Sequence, residues 1–229
     1  MSFGMWVADS AASVLTRILC RVDGEALRSV PADGPLIVVT NHVNWLEIPV
    51  LRAKLRAQKV IALAKAEAWN NAVAGWLLDR WEAIPIHRGE NDIQALRKAL
   101  AALDAGRILG LAPEGTRSGD GCLQRGNPGM TTIALRSGAP ILPVAFHGGE
   151  AFGENIKRLR RTPFRFAVGP LCRIDTGNER VTRDVRRAIT DEVMYELAAL
   201  LPERYRGAYA GVDDLPRTYL RTMAQPEAS

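Results

Sequence analysis

Cysteine is scarce in this chain. Cys20, Cys122 and Cys172 are the only three in 229 residues. Their number is odd and their spacing wide, which excludes a disulfide framework and a cysteine metal site; a reducing compartment is expected. Long apolar runs are also missing. No stretch of about 18 to 20 apolar residues occurs, so no transmembrane helix is expected. The start, Met1-Ser2-Phe3-Gly4-Met5-Trp6, has no basic region ahead of an apolar one, so a secretory signal is not expected. Aromatics make up only 6% and the 30 lysines and arginines are scattered, with no nucleic-acid-binding signature. G-x-S-x-G, the Walker A loop and G-x-G-x-x-G are all absent, which argues against a nucleophile-elbow hydrolase, a P-loop NTPase and a dinucleotide enzyme.

What is present suits one sizeable domain. Hydrophobic content is 47%, ample for a core. A net charge of +5 and a pI near 9.4 point to acidic partners: anionic lipid, a phosphorylated substrate or an acidic carrier protein. Apolar runs alternate with helical periodicity. Strands are expected at 36–40, 60–64, 83–86, 107–112, 140–146, 164–168 and 171–174. Helices are expected at about 47–56, 68–80, 91–105, 128–137 and 182–201. This alternation predicts an α/β fold with a mostly parallel sheet flanked by helices.

Residues 3 to 22 have the period of an amphipathic helix. Val7, Ala11, Val14, Ile18 and Val22 fall on one stripe, widened by Leu15 and Leu19; Asp9, Ser13, Arg17 and Arg21 fall opposite. Two interpretations stand open: a helix lying in a membrane interface, and a helix packed on its own domain or a second subunit. The chain divides into residues 1–30 (helix and linker), 31–215 (the main domain) and 216–229 (a tail, its last ten residues frayed).

Two loops concentrate the chemistry. The first reads Thr40-Asn41-His42-Val43-Asn44-Trp45-Leu46-Glu47, straight after the apolar run Leu36–Val39. His42 is a candidate general base, and Glu47 a carboxylate able to hold its other ring nitrogen. With 25 acids in the chain, an acid five places after one of the three histidines arises by chance in about a third of such sequences, so this spacing alone decides nothing. The second loop, Pro113-Glu114-Gly115-Thr116-Arg117-Ser118, joins an acid, a flexible glycine, a hydroxyl and a guanidinium, a set suited to clamping an anion. Lys65 and Arg88 follow two further strands, and a shared sheet edge would gather all three cations. The basic run Lys157-Arg158-Leu159-Arg160-Arg161 remains open between a docking site for an acidic carrier or lipid and a solvated loop.

These blocks resemble the 1-acylglycerol-3-phosphate acyltransferases, a family of glycerolipid acyltransferases. Asn41-His42-x-x-x-x-Glu47 resembles its N-H-x(4)-D block, with Glu in place of Asp. Ala64-Lys65-Ala66-Glu67 through Gly75-Trp76 and Ile84-Pro85-Ile86-His87-Arg88 resembles its second block. Pro113-Glu114-Gly115-Thr116-Arg117-Ser118 resembles its third, and Ala139-Pro140-Ile141-Leu142-Pro143-Val144 its final strand. Asn44 stands where a small hydroxyl residue is common, and Asn127 where the family carries a lysine.

The resemblance implies a glycerolipid-acyltransferase-like fold and a His42–Glu47 dyad. It implies that Lys65, Arg88, Glu114, Gly115, Thr116 and Arg117 bind the acceptor. The reaction implied is transfer of a fatty acyl group from an acyl carrier protein or coenzyme A thioester to a lysophospholipid, 1-acylglycerol-3-phosphate first. The thioester is a co-substrate, with no cofactor and no metal. The place implied is the cytoplasmic face of a membrane, peripherally, with no nucleic-acid partner. Two alternatives accompany it: another lysolipid acceptor such as a lyso-aminolipid, and a non-catalytic lipid- or carrier-binding relative.

Overall fold

A computed structural model describes residues 3–55, 60–87, 92–211 and 217–224. Its centre is a sheet of β1 (Cys20–Asp23), β2 (Leu36–Thr40), β3 (Val60–Lys65), β4 (Ile84–Ile86), β5 (Ile108–Leu111), β6 (Ile141–His147), β7 (Thr162–Val168), β8 (Cys172–Ile174) and β9 (Leu220–Thr222). The order is β1-β7-β6-β2-β5-β3-β4, with β8 pairing β6 and β9 pairing β8. The run β6-β2-β5-β3-β4 is parallel throughout, while β7 and β8 are antiparallel to β6. The expected mostly parallel sheet is therefore present.

The helices are α1 (Phe3–Leu19), α2 (Glu47–Leu55), α3 (Ala72–Arg80), α4 (Ile93–Asp104), α5 (Gly129–Ser137), α6 (Phe152–Lys157) and α7 (Arg183–Ala199). Alternate residues of one strand feed opposite layers, because strand side chains alternate sides. Ile37 and Val39 of β2 join a core with α4, α5 and α7 residues such as Ala99, Ile133 and Val193. Leu36 and Val38 join the other core with Val50 of α2 and Phe146 and Phe164. Coverage of both faces explains why these strands read as continuous apolar runs.

Two expectations are corrected, and the open choice for α1 is narrowed. The first helix ends at Leu19, not 22, because Cys20–Asp23 extends to pair with β7 in register Cys20↔Thr162. The tail is not wholly frayed: Leu220–Thr222 pairs with β8, and the amides of Thr218, Tyr219 and Leu220 donate to the Glu192 carboxylate. The apolar stripe of α1 is not its packed face. Met5, Ala8, Ala12 and Thr16 are buried, whereas Trp6, Val14, Leu15 and Ile18 are exposed. Small residues let α1 lie close to α2. The Asp9 carboxylate then accepts Arg52 Nε at 3.0 Å and Trp81 Nε1 at 2.9 Å. No described helix is long and apolar enough to cross a membrane.

Candidate active site

The first loop is shaped by its asparagines. Asn41 is buried where β2 ends; its carboxamide donates to Phe146 O at 2.8 Å and accepts from Phe146 N at 2.9 Å. This pair of hydrogen bonds from side chain to backbone fixes the end of β2 against β6. Asn44 Oδ1 then accepts Leu46 N at 2.8 Å, the Asx turn that starts α2 at Glu47. Pro49 sits in the first turn of α2, where a missing N–H costs nothing.

That turn folds Glu47 back onto its own loop. Oε2 lies 2.6 Å from His42 Nδ1. Oε1 accepts Val43 N at 2.6 Å and also Asn44 N. Glu47 is only 2% exposed, while the His42 side chain keeps 16% exposure. Nδ1 is thus held from inside, and Nε2 points away from Glu47. The longer glutamate arm fits here, since the carboxylate must reach both the ring and two amides.

The second loop closes on the first. Glu114 is buried; its Oε1 accepts His42 N at 2.6 Å and its Oε2 accepts Gln124 N at 2.8 Å. Ser118 N donates to His42 O at 2.8 Å. Both peptide groups of His42 are therefore bound by the second loop. Glu114 spends its oxygens on backbone amides rather than on Arg117. Gly115 has φ +68° with open space where a Cβ would sit, so conformation, not crowding, calls for glycine. Thr116 and Arg117 are exposed at the rim, and Arg117 O accepts Gln124 Nε2 at 3.3 Å.

Two of the three candidate cations lie within the described residues. Lys65 ends β3, half-exposed and paired with Glu67 at 3.1 Å. Its register partner on β4 is Ile86. Arg88, two residues on, lies outside the described residues. Strands β5, β3 and β4 are neighbours about 4.8 Å apart, so Arg117 and Lys65 share one sheet edge. On the other flank, Gly149 O accepts Asn44 Nδ2 at 2.7 Å. A Cβ at Gly149 would meet the Phe164 ring at 2.6 Å, so only glycine lets that backbone approach the dyad loop.

The family model described as Acyltransferase matches residues 21–147, more than half of the chain, and spans both loops. The chain belongs to the acyltransferase family. A lyso-ornithine lipid O-acyltransferase of Pseudomonas aeruginosa is 34% identical over 141 residues, covering 61% of this chain and 51% of that protein. A 1-acyl-sn-glycerol-3-phosphate acyltransferase of Bacillus subtilis is 29% identical over 131 residues, covering 57% and 64%. The chain thus spans about half to two-thirds of these relatives. The crystal structure of the 1-acyl-sn-glycerophosphate acyltransferase PlsC from Thermotoga maritima shares the fold, with a TM-score of 0.60 at 22% identity over 86% of this chain and 78% of that one.

Burial sets the electrostatics of these two loops. It pushes the Glu47 carboxyl above its ordinary range, opposed by His42 and the two amides. It pushes Glu114 up to about 7, opposed by the Gln124 and His42 amides. Among the described residues no group of three or more His, Cys, Asp or Glu side chains could hold a metal ion. Asn41, Asn44 and Gly149 brace the His42 loop, and their residue types alone assign them no such part. Asn41 and Asn44 stood in the quoted motif, and Gly148-Gly149 follows β6. The bonds to Phe146 and Gly149 span 105 residues, so no local pattern announces them.

Proposed function

We propose that this acyltransferase moves a fatty acyl group from a thioester, on acyl carrier protein or coenzyme A, to the free hydroxyl of a lysophospholipid, with 1-acylglycerol-3-phosphate as acceptor. The 2.6 Å contact between His42 Nδ1 and the buried Glu47 carries this reading. It leaves Nε2 to take the proton of the attacking hydroxyl. The hydroxyl oxygen bonds to the thioester carbonyl carbon. Collapse of the tetrahedral intermediate breaks the C–S bond, and the departing thiolate takes the proton back from Nε2. Glu47 fixes the ring and stabilises the imidazolium, as a triad carboxylate does. Arg117 and Lys65, with Arg88, supply cations for the acceptor phosphate.

The outward residues Trp6, Val14, Leu15 and Ile18 of α1 support work at a membrane surface; the cytoplasmic face is part of the proposal and rests on the family resemblance. A second acceptor reading is favoured by the 34% identical relative named for a lyso-ornithine lipid. A panel crossing both lysolipids with both thioesters separates the two. His42→Ala should reduce turnover by about 10² to 10⁴ with the parental circular dichroism retained. Parental turnover by that variant would remove His42 as the base.

A further inference from the structure

The turn between α6 and β7 has a composition and place that acyl transfer does not itself require. Residues 156–161, Ile-Lys-Arg-Leu-Arg-Arg, are all exposed. Leu159 is 95% exposed and sits in the left-handed region at φ +51°. Lys157 pairs with Glu154 at 3.0 Å, both largely in solvent. Arg161 is spent on structure: Nε and Nη2 donate to Cys20 O at 3.0 and 2.5 Å, which ties the turn to the junction of α1 and β1. Neither Arg158 nor Arg160 has a side-chain partner among the described residues.

The turn stands on the catalytic edge of the sheet. The antiparallel register His147↔Arg165 puts Thr162 three residues beyond the end of β6, about 10 Å further out on the side where β2 delivers His42. Phe152, first residue of α6, packs edge-on against Trp45 at 5.9 Å, three residues from His42. Ile18, 64% exposed, lies two residues before the Cys20 carbonyl that Arg161 grips.

We propose that residues 156–161 form a second lipid-contact point, which docks on an anionic bilayer and presses the dyad's edge of the sheet against it. Leu159 enters the acyl region while Arg158 and Arg160 lie among anionic headgroups. Separate apolar points on α1 and on this turn, each beside cations, match a planar surface of hydrocarbon under negative charge. An acidic carrier protein would instead need a pocket for Leu159. The proposal rests on the membrane-surface reading above and is independent of the acceptor.

The full chain is sedimented with vesicles of phosphatidylcholine, with and without phosphatidylglycerol. The variants are the pair Arg158→Ala with Arg160→Ala, Leu159→Asn, and Ile18→Ser. Asparagine tolerates positive φ, so Leu159→Asn removes apolar surface without straining the turn. Each cation near an anionic surface is worth about fivefold in partitioning, so the double variant should lose about thirtyfold on anionic vesicles and little on neutral ones. Leu159→Asn should lose about tenfold on both. All variants should keep the parental circular dichroism and melting temperature. If Ile18→Ser alone loses binding, the inference about the turn fails while the α1 reading stands. If the parent ignores anionic vesicles, both fail. If the double variant binds vesicles normally but slows with a carrier-protein thioester and not with a coenzyme A thioester, the turn serves a protein and the proposal is overturned.

Discussion

Glu47 does two jobs with one carboxylate, and its substitutions separate them. One oxygen holds the His42 ring; the other receives the Val43 and Asn44 amides that shape the loop. Glu47→Gln keeps the size, but its amide nitrogen must face either the ring or two N–H donors. Turnover should fall by at least about 10²-fold, since the proposed mechanism uses that charge to stabilise imidazolium. Glu47→Asp keeps the charge at shorter reach and should retain part of the activity, because it cannot span both the ring and the amides. Steady-state rates on a lysolipid and a thioester check this; a Gln variant as active as the Asp one would show that Glu47 only shapes the loop. At this scale the sequence revealed residue types with chemistry, and the fold brings His42, Glu47, Glu114 and Ser118 together. Less legible was how Glu114 is used. A motif gives an acid beside an arginine, but the choice between a guanidinium and two buried amides depends on how the two loops close.

Among elements, α1 shows what periodicity can and cannot convey. The helix was legible, since apolar residues recur at its period. Its packed face was not, because close approach to α2 favoured Ala8 and Ala12 over larger residues, leaving Val14 and Ile18 outside. The deciding contact joins residues 43 apart: Asp9 takes both Arg52 Nε and Nη2, and Arg52 stacks over Trp81 at 5.3 Å. Arg52 is buried, so losing its partner strands a charge. Asp9→Ala should destabilise the protein by about 3 kcal/mol, whereas Ile18→Ser on the outward face should change stability by less than about 0.5 kcal/mol. Urea denaturation of the two variants decides it; equal losses would mean that both faces are packed. The same bond explains why α1 is not a detachable anchor. Removing residues 1–22 would delete Asp9 and most of β1 together.

Across the whole molecule, the alternation of apolar runs and helical periods made the parallel sheet readable, because both faces of its central strands are covered. The edges were hidden. β1 and β9 are three or four residues long and owe their existence to partners far along the chain, β7 and β8. The two loops of the site meet only because β2 and β5 are neighbours, and Glu114 is the strut between them. That strut couples global stability to pH. Burial lifts Glu114 to about 7 in the folded protein against an ordinary value of 4.5. Between these pH values the folded state holds a proton that the unfolded chain has released. Stability from this group is full below about 4.5, falls as pH rises through 7, and is flat above. His147 works in the opposite sense, because burial lowers its pKa below 6.5 and its contribution grows with pH. Only a difference isolates Glu114. The stability of the parent minus that of Glu114→Gln should drop from pH 5 to pH 8 by at most about 3 kcal/mol. Lost amide bonds in the variant add an offset that does not vary with pH, so the slope alone carries the test. Denaturation midpoints measured across that range should converge on or cross one another toward alkaline pH; parallel curves would show that Glu114 is already ionised in the folded protein, held so by its two amides.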